Sequence, residues 1–173
     1  MDDKAFWAII AEARAAADPD DIDEVVGAIE EAIAALDDEE LVAFHHQFLR
    51  QYWKCYRYEI RAAAMVIGGD EASEDFYDDF CCWLIAQGQE RFDKTLADPD
   101  SLAALEIVTD DLAAGELLDF ADRTYMERTG GEIPDEEGFQ QPENPAGKPL
   151  TEADLQKKLP QLCNAFDYEV EEV

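Results

Sequence analysis

One stretch of this chain, residues 38–67, repeats its apolar side chains at the spacing of an α-helix and constrains the fold more than any other. At about 100° per residue, its large apolar side chains share one arc: Leu41, Phe44, Phe48, Tyr52, Cys55, Ala62 and Val66. Four cations at i, i+4, i+7 and i+11 occupy the opposite arc: Arg50, Lys54, Arg57 and Arg61. The pattern predicts one long amphipathic helix, buried on one side and positively charged on the other.

Helical spacing recurs along the rest of the chain, between residues that begin or end helices. Further helices are predicted over residues 4–17, 22–36, 74–96, 101–108, 110–128 and 152–159. Within the helix predicted over residues 74–96, Gly88 is predicted to kink or narrow the helix. No segment alternates cleanly enough between apolar and polar residues to predict a strand. We therefore predict an all-α fold, a single compact multi-helix domain spanning residues 1–173 around the long central helix.

Glycine and proline concentrate in residues 130–149, which hold four of each. This composition predicts a flexible loop within the domain. Thr151 follows as the predicted cap of a short C-terminal helix.

Charge divides the chain into three parts. Residues 1–44 hold two cations and fourteen anions, and residues 69–173 hold seven cations and twenty-eight anions. Residues 45–68 hold four cations and one anion. The formal net charge of −30 repels the phosphates of nucleic acids at long range, so we predict no nucleic-acid partner. The 47% hydrophobic content predicts a folded core inside this acidic surface.

Apolar runs, the N-terminal residues and the cysteine pattern together predict the cellular compartment. The sequence contains no run of about 18 apolar residues, so no membrane span is predicted. The acidic N-terminus differs from the basic start of a signal peptide. We therefore predict a cytoplasmic protein without a membrane partner. No CxxC pair occurs, so the cysteines are predicted to be small buried side chains rather than disulfides. They are Cys55, Cys81, Cys82 and Cys163.

Acidic residues also cluster near the start of the fourth predicted helix. Asp75, Asp78 and Asp79 are predicted to form a solvated acidic face rather than a metal site, since exposed acidic runs are usual in such a composition. Neither a metal nor a cofactor is predicted. Three tryptophans are predicted to anchor the core: Trp7, Trp53 and Trp83.

Several short motifs lie in the same order as in a known family. They are Phe6-Trp7, Glu39-Glu40-Leu41, Ala62-Ala63, Gly68-Gly69, Phe80, Trp83-Leu84-Ile85, Gly88, Phe92 and Asp98-Pro99-Asp100-Ser101-Leu102. In these motifs the chain resembles the bacterial family catalogued as domain of unknown function 4240. The resemblance implies a compact bacterial domain and carries no activity with it. Cys81 stands where the family typically has an arginine; if that arginine has a role, this chain either lacks it or supplies the charge from Arg57 or Arg61.

Two polar residues fall on the apolar side of the predicted long helix. Glu59 would need a donor or a cation from a neighbouring helix, which predicts a buried structural network, with a functional site as the alternative. His45 is predicted to be a hydrogen-bonded core histidine rather than a catalytic base.

The cationic stripe has three interpretations. It can complement acidic helices of the same domain, bind an anionic small ligand, or bind the acidic surface of a partner or a second copy. The candidate binding residues are Arg50, Lys54, Arg57, Glu59 and Arg61.

These features together favour a non-enzymatic interaction or regulatory domain with a protein partner. The alternative is a small-ligand-binding protein or an enzyme whose pocket contains Glu59 and a cation of the central helix. A weaker alternative is mimicry of nucleic acid by the acidic surface. The oligomeric state is left open.

Overall fold

The fold is built from helices alone. The structure, a computed structural model, describes residues 1–69 and 72–168. Within those residues it contains no strand, and its α-helices are α1 Asp3–Ala16, α2 Ile22–Ala34, α3 Asp38–Lys54, α4 Tyr58–Gly68, α5 Glu74–Ala86, α6 Gln89–Ala97, α7 Leu117–Thr129, α8 Glu152–Lys158 and α9 Pro160–Ala165. Two 3-10 helices, Pro99–Ala104 and Thr109–Leu112, join α6 to α7. The predicted all-α class is confirmed.

Side-chain caps begin several helices, and Thr151 caps α8 as the sequence predicts. Asp21 accepts a hydrogen bond from the backbone at the start of α2, and Ser73 does the same for α5. Asp37 and Glu40 form a reciprocal capping box at the start of α3. These local bonds satisfy backbone donors that the first helical turn leaves without partners.

The prediction of one long helix over residues 38–67 is wrong, because the chain breaks between α3 and α4. The amide of Cys55 bonds to the carbonyl of Tyr52 at 2.9 Å, and Arg57 adopts an extended backbone with φ −137° and ψ 143°. The hydroxyl of Tyr77 on α5 donates to the carbonyl of Cys55 at 2.6 Å. No glycine or proline marks this break, so local sequence gives no signal for it. Partners from distant parts of the chain replace the lost helical bonds.

Gly88 ends a helix rather than kinking one. It lies between α5 and α6 with φ +87°, a conformation that residues with a side chain rarely adopt. The Arg14 side chain passes 3.6 Å from the position that a Cβ would occupy, and its guanidinium donates to the carbonyl of Ala86 at 2.7 Å. Arg14 therefore satisfies a carbonyl at the C-terminal end of α5.

Two further helices differ from their predicted bounds. The helix predicted over residues 101–108 is a 3-10 helix, Pro99–Ala104, and the one predicted over residues 110–128 starts only at Leu117. The backbone amide of Gly115 bonds to Oδ1 of Asp79 at 2.7 Å. A Cβ on Gly115 would lie 2.6 Å from that oxygen, so only glycine permits this approach. The tertiary contact with α5 thus holds the chain outside a helix just before α7.

A single apolar core joins the helices. Phe6, Phe44, Phe48, Phe80 and Phe92 are fully buried within it. Trp7 and Trp83 are buried too, while Trp53 is half-buried and packs against the core. All four cysteines are free and buried, as the sequence predicts.

Candidate interaction site

Because of the break between α3 and α4, the four cations of the predicted stripe do not lie on one surface. Arg50 pairs with Glu136 in the segment between α7 and α8, and Arg61 pairs with Glu74 at the start of α5. Lys54 lies 3.8 Å from Oδ1 of Asp3 and donates to Gln51 at 2.7 Å. Three of the cations therefore pair with carboxylates of the same chain, which supports the interpretation that they complement acidic elements of the domain.

Arg57, the fourth cation, lies in the break itself. It is exposed and precedes the first residue of α4. Among the residues that the structure describes, no carboxylate lies within 4.0 Å of its guanidinium. Its backbone forms an isolated parallel bridge with Ala146.

Glu59 does not point into the core. Its side chain is 49% exposed and pairs with Lys158 of α8. The predicted burial of Glu59 is wrong because residues 55–57 are not helical, with Arg57 in an extended conformation, so helical spacing counted across the break no longer applies. Ile60 and Ala63 point into the core instead.

A groove of about 430 Å³ lies between α4, α5, α8 and the residues just before α8. We call it the α4–α5 groove and define it by Tyr58, Arg61, Ala62, Met65, Phe76, Tyr77, Leu150 and Leu155. Arg61 is thus the one predicted site residue that lines it, and Glu59 is not among the lining residues. Sequence analysis did not single out Met65, which is 38% exposed although it is large and apolar.

The charged end of the groove is an ion pair set against aromatic rings. The Arg61 guanidinium lies 4.6 Å from the centroid of the Tyr77 ring, within the range of a cation–π contact. Its hydrogen bond to Glu74 raises the pKa of Arg61, and burial opposes that rise. Burial raises the pKa of the Tyr77 hydroxyl, which therefore stays protonated and donates to Cys55. The groove thus offers an apolar floor beside a fixed charge pair.

A second surface lies on α3, where the chain covers itself. We call residues 130–149 the covering segment; no helix forms between Thr129 and Glu152. His46 Nε2 lies 2.8 Å from the carbonyl oxygen of Pro134, and Arg50 forms two hydrogen bonds to the Glu136 carboxylate. A cavity of about 300 Å³ remains beneath the segment, lined among others by His45, Leu49 and Phe139.

His45 is half-buried and lines this cavity, rather than lying in the core as the sequence predicts. Burial lowers the pKa of its imidazole below the usual 6.5, the neighbouring His46 acts in the same direction, and Asp122 and Asp119 oppose the shift. The unfolded chain therefore binds more protons just below that value, and stability falls as the pH falls. We expect the free energy of unfolding to drop less between about pH 7 and about pH 5 in His45→Gln than in the wild type. Urea denaturation at each pH measures the free energy of unfolding. An equal pH dependence in the two proteins would contradict a lowered pKa of His45 in the folded chain.

The acidic cluster at the start of α5 is not the solvated face that the sequence predicts. Asp78 is half-buried and accepts a hydrogen bond from the hydroxyl of Tyr52 on α3. Asp79 is half-buried as well and holds the backbone of Gly115. Only Asp75 is exposed. Asp78 and Asp79 thus join α5 to its neighbours, through residues that are far away in the sequence.

In the part of the chain that the structure describes, no helix is both long enough and apolar enough to span a bilayer. Residues 1–127 match the family described as "Protein of unknown function (DUF4240)". No curated protein and no solved structure matches the chain. The matched residues contain α1 to α6 and most of α7, and the covering segment lies beyond them.

Proposed function

We propose that this chain, which belongs to the DUF4240 family, is a non-enzymatic interaction domain of the bacterial cytoplasm whose α4–α5 groove binds a basic segment of a partner protein. One observation carries the proposal: Met65, a large apolar side chain left 38% exposed, lines a groove beside an exposed carboxylate. Burying such a side chain against a partner removes apolar surface from water. The free, buried cysteines support a reducing compartment.

The α4–α5 groove is suited to an apolar side chain of the partner that inserts into it. Ala62, Phe76 and Leu150 line it, and its volume of about 430 Å³ is that of a well-formed binding pocket. An apolar anchor that fills such a pocket contributes most of the affinity in many protein interfaces.

The charge around the groove favours a basic partner. The chain carries a formal net charge of −30, which attracts cations at long range and speeds association with them. The side chain of Glu74 is 75% exposed although it pairs with Arg61, so one side of this carboxylate faces solvent. A lysine or arginine next to the apolar anchor can share it.

Met65→Glu should strongly weaken partner binding while Met126→Glu leaves it unchanged. Both methionines are exposed, but Met126 lies on α7 and does not line the groove. A charge at position 65 would have to be desolvated when the anchor enters, so we expect about a hundredfold loss in affinity. The partner is captured from a cytoplasmic extract with the wild-type chain, identified, purified, and titrated against each variant.

Three results would contradict the proposal. Equal effects of the two substitutions would show that the groove is not the contact. A captured partner without a basic segment would remove the charge argument. Binding that strengthens as salt is added would oppose an attractive charge contact.

A small ligand is the second candidate for the same groove, because its volume and its Arg61 also fit a small anion with an apolar body. Thermal denaturation with a panel of small carboxylates tests this. Stabilisation that Arg61→Gln removes would favour a ligand-binding protein. Mimicry of nucleic acid is the weaker proposal; it requires binding that Met65→Glu leaves intact and that DNA competes away.

A further inference from the structure

We infer that the surface of α3 and of the α3–α4 break is a binding surface for extended acidic protein segments, and that the covering segment is its resident occupant. We call this surface the α3–α4 face and define it by His46, Leu49, Arg50 and the backbone of Tyr56 and Tyr58. The inference uses contacts different from those of the proposed partner groove and does not depend on it.

The break supplies a backbone docking point. The amide of Ala146 donates to the carbonyl of Tyr56 at 2.9 Å, and the amide of Tyr58 donates to the carbonyl of Ala146 at 3.1 Å. These two groups of the face bond outside the helices because the helix is interrupted between Lys54 and Tyr58. The reciprocal pair requires an extended segment but no particular side chain, as in the addition of a strand to a sheet edge.

Two side chains of the face select the chemistry of the segment. Arg50 Nε donates to Glu136 Oε2 at 3.0 Å, and a second guanidinium nitrogen donates to the other carboxylate oxygen. Such a fork recognises the planar shape of a carboxylate as well as its charge. His46 Nε2 donates to the carbonyl oxygen of Pro134 at 2.8 Å, and Pro134 lies two residues before Glu136. The face thus reads a carboxylate and a neighbouring extended backbone.

The resident segment fills the face incompletely. Most of its residues are exposed, and Ile133 and Phe139 are among the few that are half-buried. The cavity of about 300 Å³ beneath it is large enough for a further apolar side chain. Little apolar burial offsets the entropy lost on ordering so many residues. An external segment with the same acidic chemistry can therefore replace it.

Being part of the same chain gives the covering segment its advantage. A tethered segment acts at an effective concentration of the order of millimolar, so an external segment binds only to the fraction of molecules whose face is open. The face lies within residues 1–127, the part matched to the family, and the segment lies outside it. The segment thus acts as a built-in competitor of the acidic partner.

The test uses the segment's own sequence as the probe. A labelled synthetic peptide of residues 131–147 is titrated against the wild-type chain and against a full-length variant in which residues 132–147, including Ala146, are replaced by a Gly/Ser linker of the same length. We expect the linker variant to bind the peptide at least about tenfold more tightly than the wild type does. Arg50→Glu in the linker variant should abolish binding. Failure of the folded linker variant to bind the peptide would overturn the inference.

Single substitutions keep the test decisive if the linker variant does not fold. Glu136→Ala removes the carboxylate that Arg50 holds, whereas Glu143→Ala removes an exposed carboxylate of the same segment. Each changes the net charge by the same amount. We expect tighter peptide binding only for Glu136→Ala, at about 0.15 M salt, where repulsion beyond about 8 Å is screened. Equal effects of the two substitutions would overturn the inference, and Met65→Glu should leave peptide binding unchanged.

Discussion

Replacing Phe6 with alanine should lower the free energy of unfolding by about 3–5 kcal/mol. Phe6 is completely buried, and its ring centroid lies 5.0 Å from those of Trp7 and Phe44 and 6.3 Å from that of Phe48. The substitution removes apolar contacts and leaves a cavity that α1 and α3 together can close only in part, because protein cores are densely packed.

Urea denaturation at constant salt measures this loss, with Phe139→Ala as the matched control. Phe139 is only half-buried, in the covering segment, so its removal should cost about 1 kcal/mol or less. If the two substitutions lowered the free energy of unfolding equally, the assignment of Phe6 to the centre of the core would be wrong.

Asp100→Ala should destabilise the chain by about 3 kcal/mol and detach α9. The Asp100 carboxylate is buried and accepts hydrogen bonds from the amides of Gln161 and Leu162 at 3.0 and 2.9 Å. It also accepts one from Nε2 of Gln161 at 3.0 Å. Alanine would leave these donors in the interior without partners, which costs more than the net value of the bonds themselves.

The neighbouring Asp98 is the control for this second prediction. It is exposed and makes no side-chain capping bond, so Asp98→Ala should change the stability by less than about 1 kcal/mol. Urea denaturation gives the difference, and amide hydrogen exchange at Gln161 and Leu162 shows whether α9 opens first. A native exchange rate at these amides in Asp100→Ala would contradict the capping role. The motif Asp98-Pro99-Asp100 is visible in the sequence, but its partners lie about sixty residues away.

The sequence predicted well whatever depends on neighbours within a turn or two of helix. The start of α3 is an example, since Asp37 and Glu40 form their capping box from residues three positions apart. The apolar face of α3 was predicted in the same way, because helical spacing alone decides which side of a single helix is apolar.

Prediction failed where two elements meet. Asp79 was predicted to be solvated, yet it holds Gly115, thirty-six residues later. Glu59 was predicted to be buried, yet it pairs with Lys158, ninety-nine residues later. Neither contact leaves a periodic trace in the sequence, because a polar side chain with one distant partner looks the same as a solvated one.

The helical class, most of the capped helix starts and the identity of the core residues followed from the sequence by itself, since they rest on local hydrogen bonding and on the spacing of apolar side chains. The tertiary structure alone decided where the central helix ends. Residues 55–57 contain no glycine or proline, and the hydrogen bonds at the break come from Tyr77 and Ala146, which lie elsewhere in the chain. That break separates Arg50 from Arg61, and it turns one predicted cationic stripe into two different surfaces.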